Sequence, residues 1–379
     1  MTQSNSIDPR LSTDIAEATQ WKLMWLKFRK HRLAMFGLCI VSFLYLIALC
    51  AEFFSPFDPS ETSTADLFHP PQRIHFVDRA EDASWALRMY VYDQKLTRDP
   101  ITLATTYVKN PDKKIYLKLF GKNEPYNLFG LIPMSRTLIA PATADEKFYL
   151  FGADRLGRDM FSRAMMGTRI SMSIGLVGVT LSLCLGLLIG GLSGYFGGLV
   201  DAVSSRAIEL ILAMPTIPVW LGLSAALPAT LDPLLRYFMI TIILSLIGWT
   251  ELARVVRGRF LALRQEDFVI SAELDGAPTR RVIFRHMMPS LVSHIIASVT
   301  LAIPSMILAE TSLSFLGLGL SPPTVSWGVL LKEAQNIHAI AQAPWLFIPG
   351  AFVALAVLSL NFLGDGLRDA ADPYASEGS

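Results

Sequence analysis

Long apolar runs alternate with polar stretches along this chain. The run at residues 33–53 is long enough to cross a hydrocarbon core of about 30 Å, because a helix rises about 1.5 Å per residue. Five further runs pass the same test, at residues 170–195, 207–227, 237–253, 291–317 and 345–367. The pattern therefore predicts six transmembrane helices, in which residues such as Pro215 permit kinks or close helix contacts.

The segment between the first and second runs has a different pattern. Residues 73–77, 87–96 and 114–120 alternate polar and apolar side chains and are rich in aromatic and β-branched residues, which predicts short strands. The prolines around them are typical of turns: Pro70, Pro71, Pro100, Pro111 and Pro125. We therefore expect a small β-rich module. The alternative, a loop without regular structure, would be unusual at this length.

The basic residues predict an orientation in the membrane. Lys and Arg are concentrated at residues 22–32 and 254–285, and short cytoplasmic segments carry an excess of these residues, whereas long external segments do not follow the rule. The predicted fold is an all-α integral membrane protein of six helices, one N-terminal helix plus a five-helix core, with a β-rich external insert. Its expected parts are a cytoplasmic N-terminal segment (1–32), a first transmembrane helix (33–54), the external insert (55–150, with 55–169 mostly outside), the membrane core (151–373) and a cytoplasmic tail (374–379).

Composition supports the membrane interpretation and excludes other classes. Hydrophobic residues make up 52% of the chain and charged residues 17%, and the mean hydropathy is +0.42, outside the ordinary soluble range. The net charge of +1 and the lack of an aromatic-studded basic patch argue against a nucleic-acid partner. The histidines are scattered and the cysteines lie in apolar runs, so the sequence predicts no metal site.

Acidic residues in or near the apolar runs are costly to bury and often mark function. Glu209 follows Arg206 by three residues, so we expect an ion pair. Glu310 has no such neighbour; either it faces the interior of the helix bundle, where solute could pass, or a partner subunit satisfies it. Pro215, Glu310 and Ser314 are the predicted translocation-path residues.

The most specific local signal is the segment 265–289, between the fourth and fifth runs. Glu266 and Asp267 suit the start of a helix, Gly276 suits a helix end, and Pro278 suits the start of a second helix. One interpretation is a basic helix pair lying on anionic lipid. The other is a docking segment, in which small side chains let a short helix fit a groove on another protein.

Sequence motifs link this segment to a known family. Ala272, Gly276 and Pro289 match the EAA loop of binding-protein-dependent ABC permeases, whereas Ile270 stands where that family has a glutamate. Further stretches resemble the dipeptide/oligopeptide/nickel branch of the family, at residues 150–163, 309–323 and 361–373, and residues 69–76 resemble an insertion of one subgroup. The chain thus resembles a permease subunit of that branch, in the subgroup with an enlarged external insert.

This resemblance implies an inner-membrane translocation subunit of a bacterial ATP-driven importer, not an enzyme. The chain has no glycine-rich P-loop ending in Gly-Lys followed by Ser or Thr, so ATP and Mg²⁺ would be bound by a separate ATPase. Expected partners are a second homologous permease in a heterodimer, two ATPase subunits or domains, an external solute-binding protein and membrane lipid. The residues expected to couple to the ATPase are Phe268, Ser271, Ala272, Glu273, Asp275, Gly276 and Pro289.

The substrate remains open between classes. The branch serves peptides, metal ions and oligosaccharides, so the resemblance favours oligopeptides or dipeptides, with oligosaccharides as the alternative. A secondary transporter would instead show inverted repeats and intramembrane carboxylates for ion coupling, and no repeat is evident. A membrane enzyme or sensor would carry its ligand site within residues 55–169.

Overall fold

The structure is a computed structural model, and it describes residues 20–79, 85–98, 105–143, 145–228, 230–336 and 342–371. The predicted tail at 374–379, most of the predicted segment 1–32, and Pro100 lie outside the described residues. The chain is mostly helical, with a small β-rich module inserted between helices. The predicted fold class, a helical membrane protein with a β-rich insert, is confirmed.

The helices are named in chain order. They are α1 (Gln20–Lys30), α2 (Arg32–Leu49), α3 (Ala51–Phe54), α4 (Met160–Phe196), α5 (Gly198–Ala213), α6 (Thr216–Ala225), α7 (Pro233–Leu263), α8 (Asp267–Leu274), α9 (Thr279–Arg281), α10 (Met288–Phe315), α11 (Trp327–Glu333) and α12 (Ile348–Ala371). A π-helical turn, Val282–Met287, joins α9 to α10, and a 3-10 turn, Pro344–Phe347, leads into α12.

Within the described part of the chain, five helices are long and apolar enough to cross a membrane: α2, α4, α7, most of α10, and α12 with the turn before it. They coincide with five of the six predicted runs. The remaining run, 207–227, is divided into α5 and α6, which are bent by 87°. The third run is thus present as a bent pair of helices, and the described residues hold five spans, or six if the bent pair forms one.

The bend has a local cause at Pro215. Met214 ends α5 in an extended conformation, with ψ at 140°, and Pro215 is also extended. Proline disfavours the α conformation at the residue before it, and it has no N–H to donate to the preceding turn. The kink predicted at Pro215 is therefore a break in the helix, which separates α5 from α6.

The β-rich module contains two antiparallel sheets. One has the strand order β1 (His75–Arg79), β2 (Trp85–Arg98), β3 (Thr105–Leu119) and β6 (Ile139–Pro141), and the other pairs β4 (Lys122–Leu128) with β5 (Ile132–Arg136). The three predicted strands overlap β1, β2 and β3, so their existence is confirmed. Val91, Ile115 and Phe148 form the core that holds the larger sheet against the chain entering α4.

Two predicted turns are wrong. Pro111 lies inside β3 and Pro125 inside β4. The pairing of β2 with β3 shifts register between Tyr92 and Gln94, opposite the segment with Pro111, and the pairing of β4 with β5 shifts between Lys122 and Tyr126. A proline cannot donate to a strand ladder, but a bulge leaves residues unpaired and so accommodates it.

A row of glycines brings the two longest spans, α4 and α7, into contact. Gly186, Gly190 and Gly194 recur every four residues on α4 and face the backbone or first side-chain atoms of α7. A Cβ at Gly190 would lie 2.4 Å from the carbonyl oxygen of Ala253. In lipid, where helices gain little from burying apolar surface, close backbone contact of this kind supplies the dispersion attraction that holds them together.

An ion network fixes the chain just before α4. Asp154 is fully buried, lies 2.7 Å from Arg158 Nε and 3.5 Å from Arg163 Nη1, and caps the turn through backbone N–H groups. Glu333 of α11 accepts from Arg155 at 2.8 Å and from Arg158 at 3.2 Å. This cluster is a salt-bridged turn that ties the motif at 150–163 to α11.

Candidate coupling loop and membrane site

The predicted docking segment is an exposed loop anchored by three apolar side chains. Val269 of α8, Val282 and Met287 are buried against Val256 and Phe260 at the end of α7. The rest of the loop projects from this anchor, and most of its side chains are exposed. Because α8 is held at one face only, its other face is free to contact another molecule.

The end of α8 is a turn that requires glycine. Gly276 has φ +74°, a left-handed conformation that other residues adopt at a cost, and the N–H of Ala277 returns to the carbonyl of Ala272 at 3.0 Å. No neighbouring atom would meet a Cβ at Gly276, so the constraint there is conformational rather than steric. The turn directs the chain into α9 and the π-helical turn.

The predicted coupling residues do not all face the same way. Phe268, Ser271 and Asp275 are exposed, whereas Ala272 packs towards the buried anchor. Glu273 accepts a hydrogen bond from Tyr195 Oη at 2.9 Å, which ties α8 to the end of α4. Pro289 is exposed in the first turn of α10. The structure therefore brings these residues into one loop with α8 and Gly276 at its tip.

Sequence reasoning found Phe268 and missed the other large apolar side chains that the loop exposes. Leu274 is 83% exposed, and Ile270 and Phe284 are exposed as well as Phe268. The available signal is that these apolar residues occur close together in a segment rich in Arg, Asp and Glu, since grouped exposed apolar side chains mark contact surfaces. Ile270 occupies the position where the related loop carries a glutamate, so the exposed surface here is more apolar than that motif suggests.

The predicted path residues lie at two separate places. Glu310 and Ser314 of α10 are fully buried within the chain, and Pro215 is exposed at the bend between α5 and α6. The Glu310 carboxylate accepts from the hydroxyls of Ser314 at 2.8 Å, Ser326 at 2.7 Å and Ser171 at 3.4 Å. Glu310 thus joins α10 to α4 and to the start of α11 without help from a partner subunit.

The predicted ion pair on α5 is present: Arg206 Nη1 lies 2.8 Å from Glu209 Oε2 on the exposed face of that helix. Among the described residues, no group of three or more His, Cys, Asp or Glu side chains could hold a metal ion.

Comparisons with known proteins identify the family. The fold and the exposed loop define a multi-pass helical membrane protein, and a family model described as the binding-protein-dependent transport system inner membrane component matches residues 186–376. A second model, the N-terminal transmembrane domain of oligopeptide transport permease C, matches residues 19–71. The chain belongs to the family of binding-protein-dependent transport system inner membrane components, which confirms the resemblance found in its motifs.

Individual relatives give the same result. The chain is 30% identical over 354 residues to the oligopeptide transport system permease protein OppC of Bacillus subtilis, covering 93% of this chain and 89% of that protein. It is 36% identical over 235 residues to the dipeptide transport system permease protein DppC of Bacillus subtilis, covering 62% and 70%. It is 36% identical over 237 residues to OppC of Haemophilus influenzae, covering 62% of this chain and 74% of that protein. A chain of the methionine ABC transporter MetNI is similar with a TM-score of 0.44 and 14% identity, covering 56% of this chain and 98% of that chain.

Proposed function

We propose that this chain is a membrane-spanning subunit of an ATP-driven importer of short peptides. The relatives it matches over most of their length are permeases of oligopeptide and dipeptide transport systems. The family to which it belongs is the translocation component of such systems, so the chain provides the membrane passage and a partner hydrolyses ATP. ATP and Mg²⁺ are then bound by that partner.

The exposed apolar tip of the cytoplasmic loop is the observation that carries the proposed coupling. Leu274, Phe268 and Ile270 of α8 project from a buried anchor, and Gly276 fixes the direction of the turn after them. A groove on an ATPase subunit would bury these side chains. Because Val269 and the Tyr195–Glu273 hydrogen bond attach α8 to α7 and α4, movement of the ATPase would reach the spans directly.

The expected arrangement around the membrane follows from this assignment. Residues 1–32 and 374–379 lie in the cytoplasm, 33–54 form the first span, 55–150 form an external module, and 151–373 form the translocation core. A second, homologous permease completes the path, two ATPase subunits or domains bind at the loops, and an external binding protein delivers peptide. The buried Glu310 and Ser314 hold the wall of the path in place, and Pro215 lies where that wall bends.

A matched pair of leucines tests the coupling. Leu274 is 83% exposed at the loop tip, and Leu87 is 86% exposed on the external module. Leu274→Asp places a charge in the proposed groove, and loss of a central apolar contact commonly weakens an interface about tenfold or more. We expect Leu274→Asp to abolish co-purification with the ATPase while Leu87→Asp leaves it intact. Equal ATPase recovery with both variants would refute the docking surface.

A further inference from the structure

A cavity of about 670 Å³ lies in the membrane-spanning part of the chain. Its walls come from α4, α7 and α10 and from both sides of the bend between α5 and α6, where Leu212 and Thr216 flank Pro215. Ligand pockets commonly enclose about 300–1,000 Å³, so a short stretch of peptide fits this space. Because the chain bends at Pro215, residues on both α5 and α6 border the cavity; a straight helix would pass along one side of it only.

Two opposite charges line this cavity. Glu251 and Arg254 are three residues apart on α7, and both side chains are exposed in the isolated chain. Within the described ranges, neither makes an ion pair or a hydrogen bond through its side chain. Arg206 and Glu209 have the same spacing on α5 and do pair. Glu251 and Arg254 stand at the end of the predicted span 237–253, where a charge is costly unless a partner or water meets it, and such charges often mark the path of a charged solute.

Uncharged polar groups in the cavity are also without partners. Ser298 and Ser305 lie seven residues apart on one face of α10, and neither hydroxyl bonds to any residue that the structure describes. Other hydroxyls on this helix return to their own carbonyls, as Thr300 does at 2.8 Å. The indole N–H of Trp220 is buried with no acceptor in the described part of the chain. A buried donor normally has a partner, so the indole N–H of Trp220 is available to a ligand; Ser298 is half-buried and Ser305 is exposed, so their hydroxyls are accessible as well.

Most of the remaining wall is apolar, with Val179, Leu244 and Met306 among its residues. A peptide presents the matching chemistry: main-chain amides for hydroxyl and indole groups, side chains for the apolar wall, and an ammonium and a carboxylate at its ends. We propose that this cavity contacts the peptide in transit, with Glu251 binding the terminal ammonium and Arg254 the terminal carboxylate. This assignment rests on the proposed peptide import and adds the residues that read the ends of the substrate.

Capped peptides test the proposal in the complete transporter, with this chain, its partner permease, the ATPases and the external binding protein in proteoliposomes. The measurement is peptide imported per ATP hydrolysed, at peptide concentrations that saturate the binding protein. Glu251→Gln should lower this ratio about tenfold for peptides with a free amino terminus and leave N-acetylated peptides unchanged. Arg254→Gln should do the same for a free carboxylate, with C-amidated peptides unchanged.

The control pair is Arg206→Gln and Glu209→Gln, which removes equal charges from an ion pair outside the cavity. These variants should leave the amount of peptide imported per ATP hydrolysed unchanged, for free and for capped peptides. The proposal is overturned if Glu251→Gln lowers import of free and capped peptides equally, or not at all. It is also overturned if the variant fails to co-purify with the partner permease, because Glu251 would then belong to the subunit interface. A wild-type transporter that imports no peptide would instead refute the proposed function.

Thiol labelling gives a readout that needs no altered charge. In a chain whose cysteines are replaced by serine, Ser305→Cys should react with a hydrophilic thiol reagent, and peptide undergoing import should slow that reaction. Leu355→Cys, an exposed position of α12 outside the cavity, should stay unreactive because hydrocarbon surrounds it. An unreactive Ser305→Cys, or labelling that peptide does not slow, would contradict a peptide contact in this cavity. The replaced cysteines are Cys39, Cys50 and Cys184.

Discussion

Two adjacent glycines on α4 should respond oppositely to the same added methyl group. A Cβ at Gly190 would lie 2.4 Å from the carbonyl oxygen, 2.9 Å from Cα and 3.1 Å from the carbonyl carbon of Ala253, all of them backbone atoms. A Cβ at Gly191 would lie 3.6 Å from the ring of Phe260, an ordinary contact. Gly190→Ala therefore pushes α4 away from α7, whereas Gly191→Ala fits the existing space.

The magnitude follows from comparing the two variants. Carbon atoms normally approach to about 3.5–4.0 Å, so Gly190→Ala requires the two helices to separate by about 1 Å. Overpacking of this kind costs about 1–3 kcal/mol. Replacing glycine by alanine within a helix gains up to about 1 kcal/mol, but this gain is common to both variants and cancels in their difference. We therefore expect Gly190→Ala to be less stable than Gly191→Ala by about 1–3 kcal/mol.

The assay is thermal unfolding of the purified protein in detergent, followed by intrinsic tryptophan fluorescence. A difference of this size should lower the melting temperature of Gly190→Ala by a few degrees relative to Gly191→Ala. The glycines at Gly186 and Gly194 hold the same interface, so the effect should spread along α4. Equal melting temperatures for the two variants would refute the close backbone contact between α4 and α7.

Two other features allow sharp tests. Gly276→Ala should destabilise the loop turn by about 1–2 kcal/mol, because φ is +74° there, and should weaken ATPase binding. Gly276→Asn should have a smaller effect, because asparagine adopts this conformation more readily. Equal ATPase binding by the wild type and both variants would contradict this expectation. Burial raises the pKa of Asp159 to about 6, above its ordinary 3.8, so its contribution to stability is fully present below about pH 4 and is lost as the pH rises through 6. Asp159→Asn should therefore flatten the dependence of melting temperature on pH between 4 and 6, and an unchanged slope would contradict the raised pKa.

The spans and the β-rich insert could be predicted from sequence because apolar length and two-residue alternation are local properties. The break at Pro215 and the bulges around Pro111 and Pro125 show the limit of that reasoning. Pro215 breaks a helix, whereas Pro111 and Pro125 lie inside strands, because a bulge there leaves residues unpaired and so accommodates a proline. The sequence signals the proline and cannot tell which outcome the surrounding chain imposes.

Candidate sites were harder to predict because they depend on distant segments. Glu310 accepts hydrogen bonds from Ser314 on its own helix and from the distant Ser326 and Ser171, so the lack of a basic residue nearby in sequence was a poor guide. Glu251 and Ser305 line one cavity although they lie on different helices. In contrast, the coupling loop is continuous in sequence, and its helix, glycine turn and second helix could be read directly. Only the exposure of Ile270, Leu274 and Phe284 needed the structure.

The energy source for import tests the account most directly. Proteoliposomes containing the complete transporter, with the binding protein and a labelled short peptide outside, should accumulate peptide only when ATP is present on the ATPase side. Replacing the P-loop lysine of the partner ATPase should abolish accumulation, and imposed ion gradients should not restore it. Accumulation that continues with the inactive ATPase and follows an ion gradient would contradict the account and favour a secondary transporter.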